Sequence, residues 1–115
     1  MVPIVSFVGR HNSGKTTVLT GVIRYLEQEG IKTAVIKHAS HSLSIQPVTD
    51  SDRLFDAGAR TVYVTSPDIS IHYSRYDDER SLIEIYEEIS KGVDLVITEG
   101  YKKETTQKIE VIRQD

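Results

Sequence analysis

The stretch Gly9-Arg10-His11-Asn12-Ser13-Gly14-Lys15-Thr16 sets two glycines around four polar residues, followed by a lysine and a hydroxyl. It matches G-x-x-x-x-G-K-[ST] at every fixed position. Those residue types at that spacing suit the cradling of a nucleotide polyphosphate. Successive backbone N–H groups at a helix N-terminus supply donors on several sides and a favourable dipole. Gly9 and Gly14 let the backbone turn and approach phosphate with no β-carbon in the way. Lys15 can reach the β- and γ-phosphates as a point charge. The Thr16 hydroxyl can complete a Mg2+ shell that is otherwise phosphate oxygen and water. Residues 9–17, from Gly9 through Thr17, are therefore the candidate phosphate-binding set. The plain alternative is a glycine-rich turn that only caps a helix, but strand and helix signals independently flank this loop.

A phosphate-and-magnesium site also needs a carboxylate from a neighbouring strand. Glu99 follows the run Leu95-Val96-Ile97-Thr98, which puts it at a strand's C-terminal end, facing the same crevice as the first loop. It is the candidate acid for metal binding and catalysis. Asp94 precedes the run and belongs at the far end. Gly100 permits a sharp turn, from which Lys102 can point back toward phosphate, and Lys37 closes a second apolar run. For both lysines the alternative is a solvated surface side chain. His38 and His41 have H-x-x-H spacing, but without cysteine or an adjacent carboxylate they read better as a polar loop near the nucleotide than as a metal site. Arg10 reads as solvated rather than as a residue acting across an interface.

The elements that must position these groups are an alternation of short strands and helices. Ile4 to Val8 reads as a buried strand. Val18, Leu19, Val22, Ile23 and Leu26 recur at helical spacing, and Gly30 stops that helix. Ile31 to Lys37 is a second strand, so strand, helix and strand form a βαβ unit and imply a parallel pair. After a polar loop, Thr49 and Asp52 make a capping box for a short helix ended by Gly58. "RTVYVT" and "ISIHY", separated by Ser66-Pro67-Asp68, read as a hairpin that gives the sheet an antiparallel edge. "DDERSLIEIYEEIS" opens with acids and carries Leu82, Ile85, Tyr86 and Ile89 on one side, an amphipathic helix stopped at Gly92. "VDLVIT" and "KIEVIR" are further strands. The expected fold is α/β, a P-loop NTPase-type three-layer sandwich with a mostly parallel sheet and an antiparallel edge hairpin.

Length and composition narrow the function. The 115 residues suggest one domain, residues 1–115, and there is no cysteine for disulfides or thiolate metal sites. A net charge of −3 argues against a nucleic-acid partner, which usually meets a basic face. No apolar run approaches the ~20 residues that span a bilayer, and no basic segment precedes an apolar core at the N-terminus. The expectation is a soluble, cytoplasmic protein with neither nucleic acid nor membrane as partner.

"GRHNSGKTT", "VIKH", "AGA" after a short helix, "DLVITEGYK" and "KIEVIR", in that order, resemble the MobB family of molybdopterin-guanine dinucleotide biosynthesis adapter proteins. The resemblance runs from Ile4 to Arg113. It implies a dimeric GTP-binding protein with weak GTPase activity that assists the MobA-type guanylyltransferase attaching GMP to molybdopterin. It also implies that residues 9–17 bind phosphates, that Thr16 and Glu99 serve Mg2+, and that Asp50 matches an acid of the family's segment after the second strand. Two departures stand out. Ser42, Ser44 and Gln46 occupy positions where members often carry acids, which weakens a metal or catalytic role for that segment. Members also usually continue past "KIEV" with another strand and helix, whereas this sequence stops at Asp115: either this version lacks that region or the sequence is truncated. There is no N/T-K-x-D motif, so GTP over ATP rests on resemblance alone. The competing expectations are a small-molecule kinase, whose lid arginines could only be Arg75 and Arg80, and a non-catalytic interaction module.

Overall fold

The computed structural model describes residues 1–11 and 13–113. Along the chain run β1 (Ile4–Val8), α1 (Lys15–Gln28), β2 (Thr33–Lys37), α2 (Asp50–Asp56), β3 (Thr61–Thr65), β4 (Ser70–Ser74), α3 (Leu82–Ile89), β5 (Leu95–Glu99) and β6 (Gln107–Glu110). They divide into two compact units. Met1–Ser40 and Ser81–Asp115 make the first, and His41–Arg80 the second.

The first unit holds a parallel sheet in the order β2-β5-β1-β6. The expected β1–β2 pair therefore does not form, because β5 lies between them. Burial explains the order: Val96, Ile97 and Thr98 of β5 have no accessible surface, and a strand apolar on both faces belongs inside the sheet. One face packs on α1, where Phe7, Ile97 and Leu19 meet Val5, Val22, Ile23 and Leu26. The other packs on α3, where Ile36, Val96, Leu82 and Tyr86 meet Ile4, Ala34, Ile85 and Ile89. Helix, sheet and helix are the three layers expected. Each fully buried aliphatic or aromatic side chain contributes roughly 1.5–3 kcal/mol.

The helix ends follow local chemistry. At the end of α1 the N–H of Gly30 bonds Glu27 O and that of Ile31 bonds Leu26 O, a left-handed stop at Gly30 with φ 78°. Helix α3 begins later than its acidic prelude suggests. Ser81 caps it with Glu84 in a reciprocal box, which leaves Asp77 and Asp78 outside the helix.

Connecting β5 to β6, residues 100–106 run past Ser6, the middle residue of β1. They are tied there by hydroxyls: Thr98 Oγ1 donates to Ser6 Oγ at 2.7 Å, and Ser6 Oγ shares a 2.6 Å hydrogen bond with Thr106 Oγ1. Ser6 and Thr98 are fully buried, so this chain satisfies polar groups that would otherwise be costly to bury.

In the second unit, Thr49 caps α2 with Asp52 as the spacing predicts. β3 and β4 pair antiparallel from Thr61↔Ser74 to Thr65↔Ser70. The hairpin is a two-stranded sheet of its own rather than an edge of the parallel sheet. Its anchor is local: Tyr73 OH donates to Asp52 Oδ1 at 2.7 Å, and the Phe55 and Tyr73 rings meet edge to face at 5.4 Å. Those contacts turn the hairpin toward its own helix.

Candidate functional site

At the C-terminal end of β1 the chain leaves the sheet at Gly9 and enters α1 through Gly14, whose φ of 89° puts it in the left-handed region. Among the described residues no side chain caps the helix. Its first N–H groups thus face the loop, the arrangement that attracts an anion. Lys15 Nζ donates to Gly9 O at 2.9 Å and closes the loop across its own mouth. The lysine is half-buried there rather than standing in solvent. Ser13 N donates to Arg10 O at 3.1 Å, while Ser13 Oγ is buried with no hydrogen-bond partner among the described residues. A buried hydroxyl without a partner invites a ligand oxygen. Arg10, His11, Thr16 and Thr17 are exposed around the loop, and Asn12 lies outside the described residues.

The two glycines separate into different roles. A β-carbon on Gly14 would meet no atom of the described residues within 4 Å, so its space is open to a ligand. A β-carbon on Gly9 would sit 2.6 Å from Val111 O and 3.0 Å from Ser13 Oγ. The first glycine is demanded by the protein's own backbone as well as by any phosphate. Between this loop and the segment after β6 lies a cavity of about 530 Å³, bordered by Arg10, Ser13, Glu110 and Arg113. That volume falls in the range of small-molecule sites.

Glu99 closes β5 in register with Phe7 of β1 and Lys37 of β2. Leu95 and Ile97 face α1, so the period of two turns Glu99 to that same face, the side on which the β1–α1 loop enters α1. Its side chain is only 14% exposed, and Lys37 Nζ lies 3.9 Å from Glu99 Oε2 while remaining largely solvated. The structure therefore brings together residues 9–11 and 13–17, Glu99 and Lys37 at one end of the sheet. Lys102 lies exposed in the turn after β5. Asp94 sits at the opposite end, where Oδ2 accepts from Lys32 N at 2.9 Å.

Asp50 belongs to the second unit, at the start of α2, exposed and paired with Arg53 Nη1 at 2.9 Å. Among the described residues, no group of three or more His, Asp or Glu side chains could hold a metal ion by itself. Magnesium, which takes few protein ligands beside phosphate and water, asks for no such cluster. Thr16 and Glu99 have the donor chemistry for it.

His38 and Tyr101 were not legible as partners. Their rings stack at 4.6 Å, just beyond Lys37 and Glu99. His38 N also donates to Glu99 O at 3.0 Å. Nothing local in the sequence signals this pairing, since the two residues leave different strands. Among the described residues no helix is long and apolar enough to cross a membrane.

Comparison with known proteins bears on the same elements. The family model for "Molybdopterin guanine dinucleotide synthesis protein B" (MobB) matches residues 4–115. The molybdopterin-guanine dinucleotide biosynthesis adapter protein of Escherichia coli K12 is 33% identical, over 98% of this chain and 67% of its own length. A probable adapter protein of the same name from Bacillus subtilis is 31% identical, over 97% and 66%. The chain thus spans about two thirds of the length of these curated relatives. A crystal structure of Bacillus subtilis MobB superposes with a TM-score of 0.79 at 28% identity, covering 98% of this chain and 69% of that one. A crystal structure of molybdopterin-guanine biosynthesis protein B gives 0.74 at 34% identity, covering 93% and 67%. With a family match over nearly all its residues and a relative one-third identical, this chain belongs to the MobB family.

Proposed function

We propose that this chain binds GTP with Mg2+ through residues 9–17 and acts in the cytoplasm as a MobB adapter in molybdopterin-guanine dinucleotide biosynthesis. The observation that carries the nucleotide reading is the loop between β1 and α1. It offers uncapped helix N–H groups, open space at Gly14, the Lys15 ammonium held across its mouth and an unpartnered buried Ser13 hydroxyl. These are the groups a polyphosphate needs, and they fit it. Thr16 and Glu99 would hold Mg2+, which would neutralise phosphate charge, while Lys37 and Lys102 are further cations near phosphate. The adapter role is supported by the names of the relatives, and guanine over adenine by the family alone.

GTP hydrolysis in this chain is slow. Glu99 is the acid assigned to the site, and Arg75 is stacked on Phe55 and donates to Phe55 O at 2.6 Å. Without an arginine at the transferring phosphate a P-loop site loses on the order of 10³–10⁵ in rate. That commitment of Arg75 also weakens the kinase alternative. The partner is a MobA-type guanylyltransferase, and the chain forms a homodimer; the weakly charged β3–β4 hairpin, with Tyr63, Ile69 and Ile71 exposed, is an edge suited to pairing.

Titration calorimetry with GTP, ATP, GDP and ADP, each with Mg2+ and with chelator, tests the nucleotide reading. The expected order puts GTP with Mg2+ first. No triphosphate binding at millimolar nucleotide overturns it.

A further inference from the structure

We infer that Tyr101, braced against His38, is a positioning residue that aims the Glu99 carboxylate; the inference rests on the nucleotide reading above. Glu99 needs such help. Its charge partner among the described residues, Lys37, is 3.9 Å away and largely solvated, too loose a contact to fix a carboxylate's direction. The backbone that follows Glu99 is, by contrast, tightly determined. Gly100 N donates to Phe7 O at 3.0 Å, and Glu99 O accepts from His38 N at 3.0 Å. A β-carbon on Gly100 would lie 3.3 Å from His38 Cβ, so the exits of β2 and β5 are in close contact.

Tyr101 comes next, with φ 57°, the one non-glycine residue at positive φ among those described. A side chain with a β-carbon is disfavoured there, and such a residue persists only where its surroundings over-determine it. The surroundings are visible. The Tyr101 ring stacks on His38 at 4.6 Å and 29°, and it packs on the cluster of Ile36, Leu82, Tyr86 and Val96. A residue serving only to fill the core has no need of a left-handed backbone. The geometry instead forces the chain to turn directly after Glu99, with an aromatic wedge holding the turn.

The test compares GTP affinity with Mg2+ and with EDTA for the wild type, Glu99→Gln, Tyr101→Phe, Tyr101→Gly and His38→Ala, alongside Tm. Tyr101→Phe keeps the ring and should keep the Mg2+ enhancement. Tyr101→Gly relieves the backbone but removes the wedge. It should lose the enhancement ten-fold or more, with less than a two-fold change in EDTA. His38→Ala removes the other half of the stack at less cost in packing and should do the same, which guards against a Tyr101 variant that fails to fold. Full enhancement in both Tyr101→Gly and His38→Ala, while Glu99→Gln loses it, overturns the inference alone. Equal losses with and without Mg2+ make the stack merely structural and also overturn it. A wild type without Mg2+-enhanced binding, or a Glu99→Gln variant indistinguishable from it, overturns the Mg2+ role of Glu99 and the inference with it, whereas no GTP binding at all overturns the nucleotide reading.

Discussion

Replacing each loop glycine by alanine should separate stability from binding. At Gly9 the new β-carbon would lie 2.6 Å from the carbonyl oxygen of Val111 and 3.0 Å from Ser13 Oγ. The first neighbour is backbone, which cannot swing aside, and it belongs to a segment held by Val111 N donating to Val8 O at 2.8 Å. Overpacking of that kind costs roughly 1–3 kcal/mol. The φ of 156° adds strain of similar order for a residue with a β-carbon. Together they give about 3 kcal/mol, a fall of roughly 10 °C in Tm for a domain of this size. At Gly14 the β-carbon meets no atom of the described residues, and only its left-handed φ of 89° is strained. That costs about 1–2 kcal/mol, or a Tm fall near ~5 °C. Yet the same β-carbon would occupy the space a phosphate needs. Gly14→Ala should therefore weaken GTP more than ten-fold while remaining the more stable variant. Differential scanning fluorimetry without nucleotide, beside calorimetric titration, measures both. Equal Tm values refute the clash at Val111. Undiminished affinity in Gly14→Ala refutes the approach of phosphate to that position.

Lys15→Ala should lose most triphosphate affinity while Tm without nucleotide falls only a few degrees, since one half-buried hydrogen bond contributes roughly 0.5–1.5 kcal/mol. Unchanged affinity by calorimetry would remove the lysine from the site. Ser6→Ala strands the Thr98 and Thr106 hydroxyls and should cost about 1–3 kcal/mol, with Ser6→Ala and Thr98→Val together costing less than their sum in a denaturation cycle. Asp52 titrates at about 2 instead of 3.8, chiefly because Thr49 N and then Tyr73 OH donate to it. A depressed carboxylate stabilises fully above its unfolded pKa and loses that contribution as pH falls through the folded one. Melting between pH 5 and 2 should thus show a decline that Asp52→Asn flattens; an equal slope in the variant would refute the assignment.

The parts of this molecule that were legible in its sequence are those set by neighbours along the chain. The candidate phosphate loop is contiguous, and its glycines, lysine and threonine sit between a strand and a helix that announce themselves separately. Thr49 with Asp52 is a box visible in four residues. Ser81 with Glu84 is equally local, but the acids at Asp77 and Asp78 carry the same charge signal and drew the helix start too early. Strand order is another matter. β1 and β2 look like a pair because α1 joins them, and only the burial of β5 on both faces decides that it stands between them.

The same division runs through the candidate site. Glu99 could be found because two rules converge on it: an acid that ends an apolar run, and the shared edge formed by the C-terminal ends of parallel strands. The second reason for Gly9 could not, since Val111 reaches it through β6 from the far end of the chain. Nor could the wedge at Tyr101. No rule of composition places an aromatic residue at positive φ, and its partner His38 leaves the sheet from a different strand. Groups that would touch a ligand must have particular chemistry, which restricts their residue types and makes them readable. Groups that orient them need only the right shape in the right place. That shape is supplied by contacts distant in sequence, so the residues that aim Glu99 emerge only once β2 and β5 lie side by side.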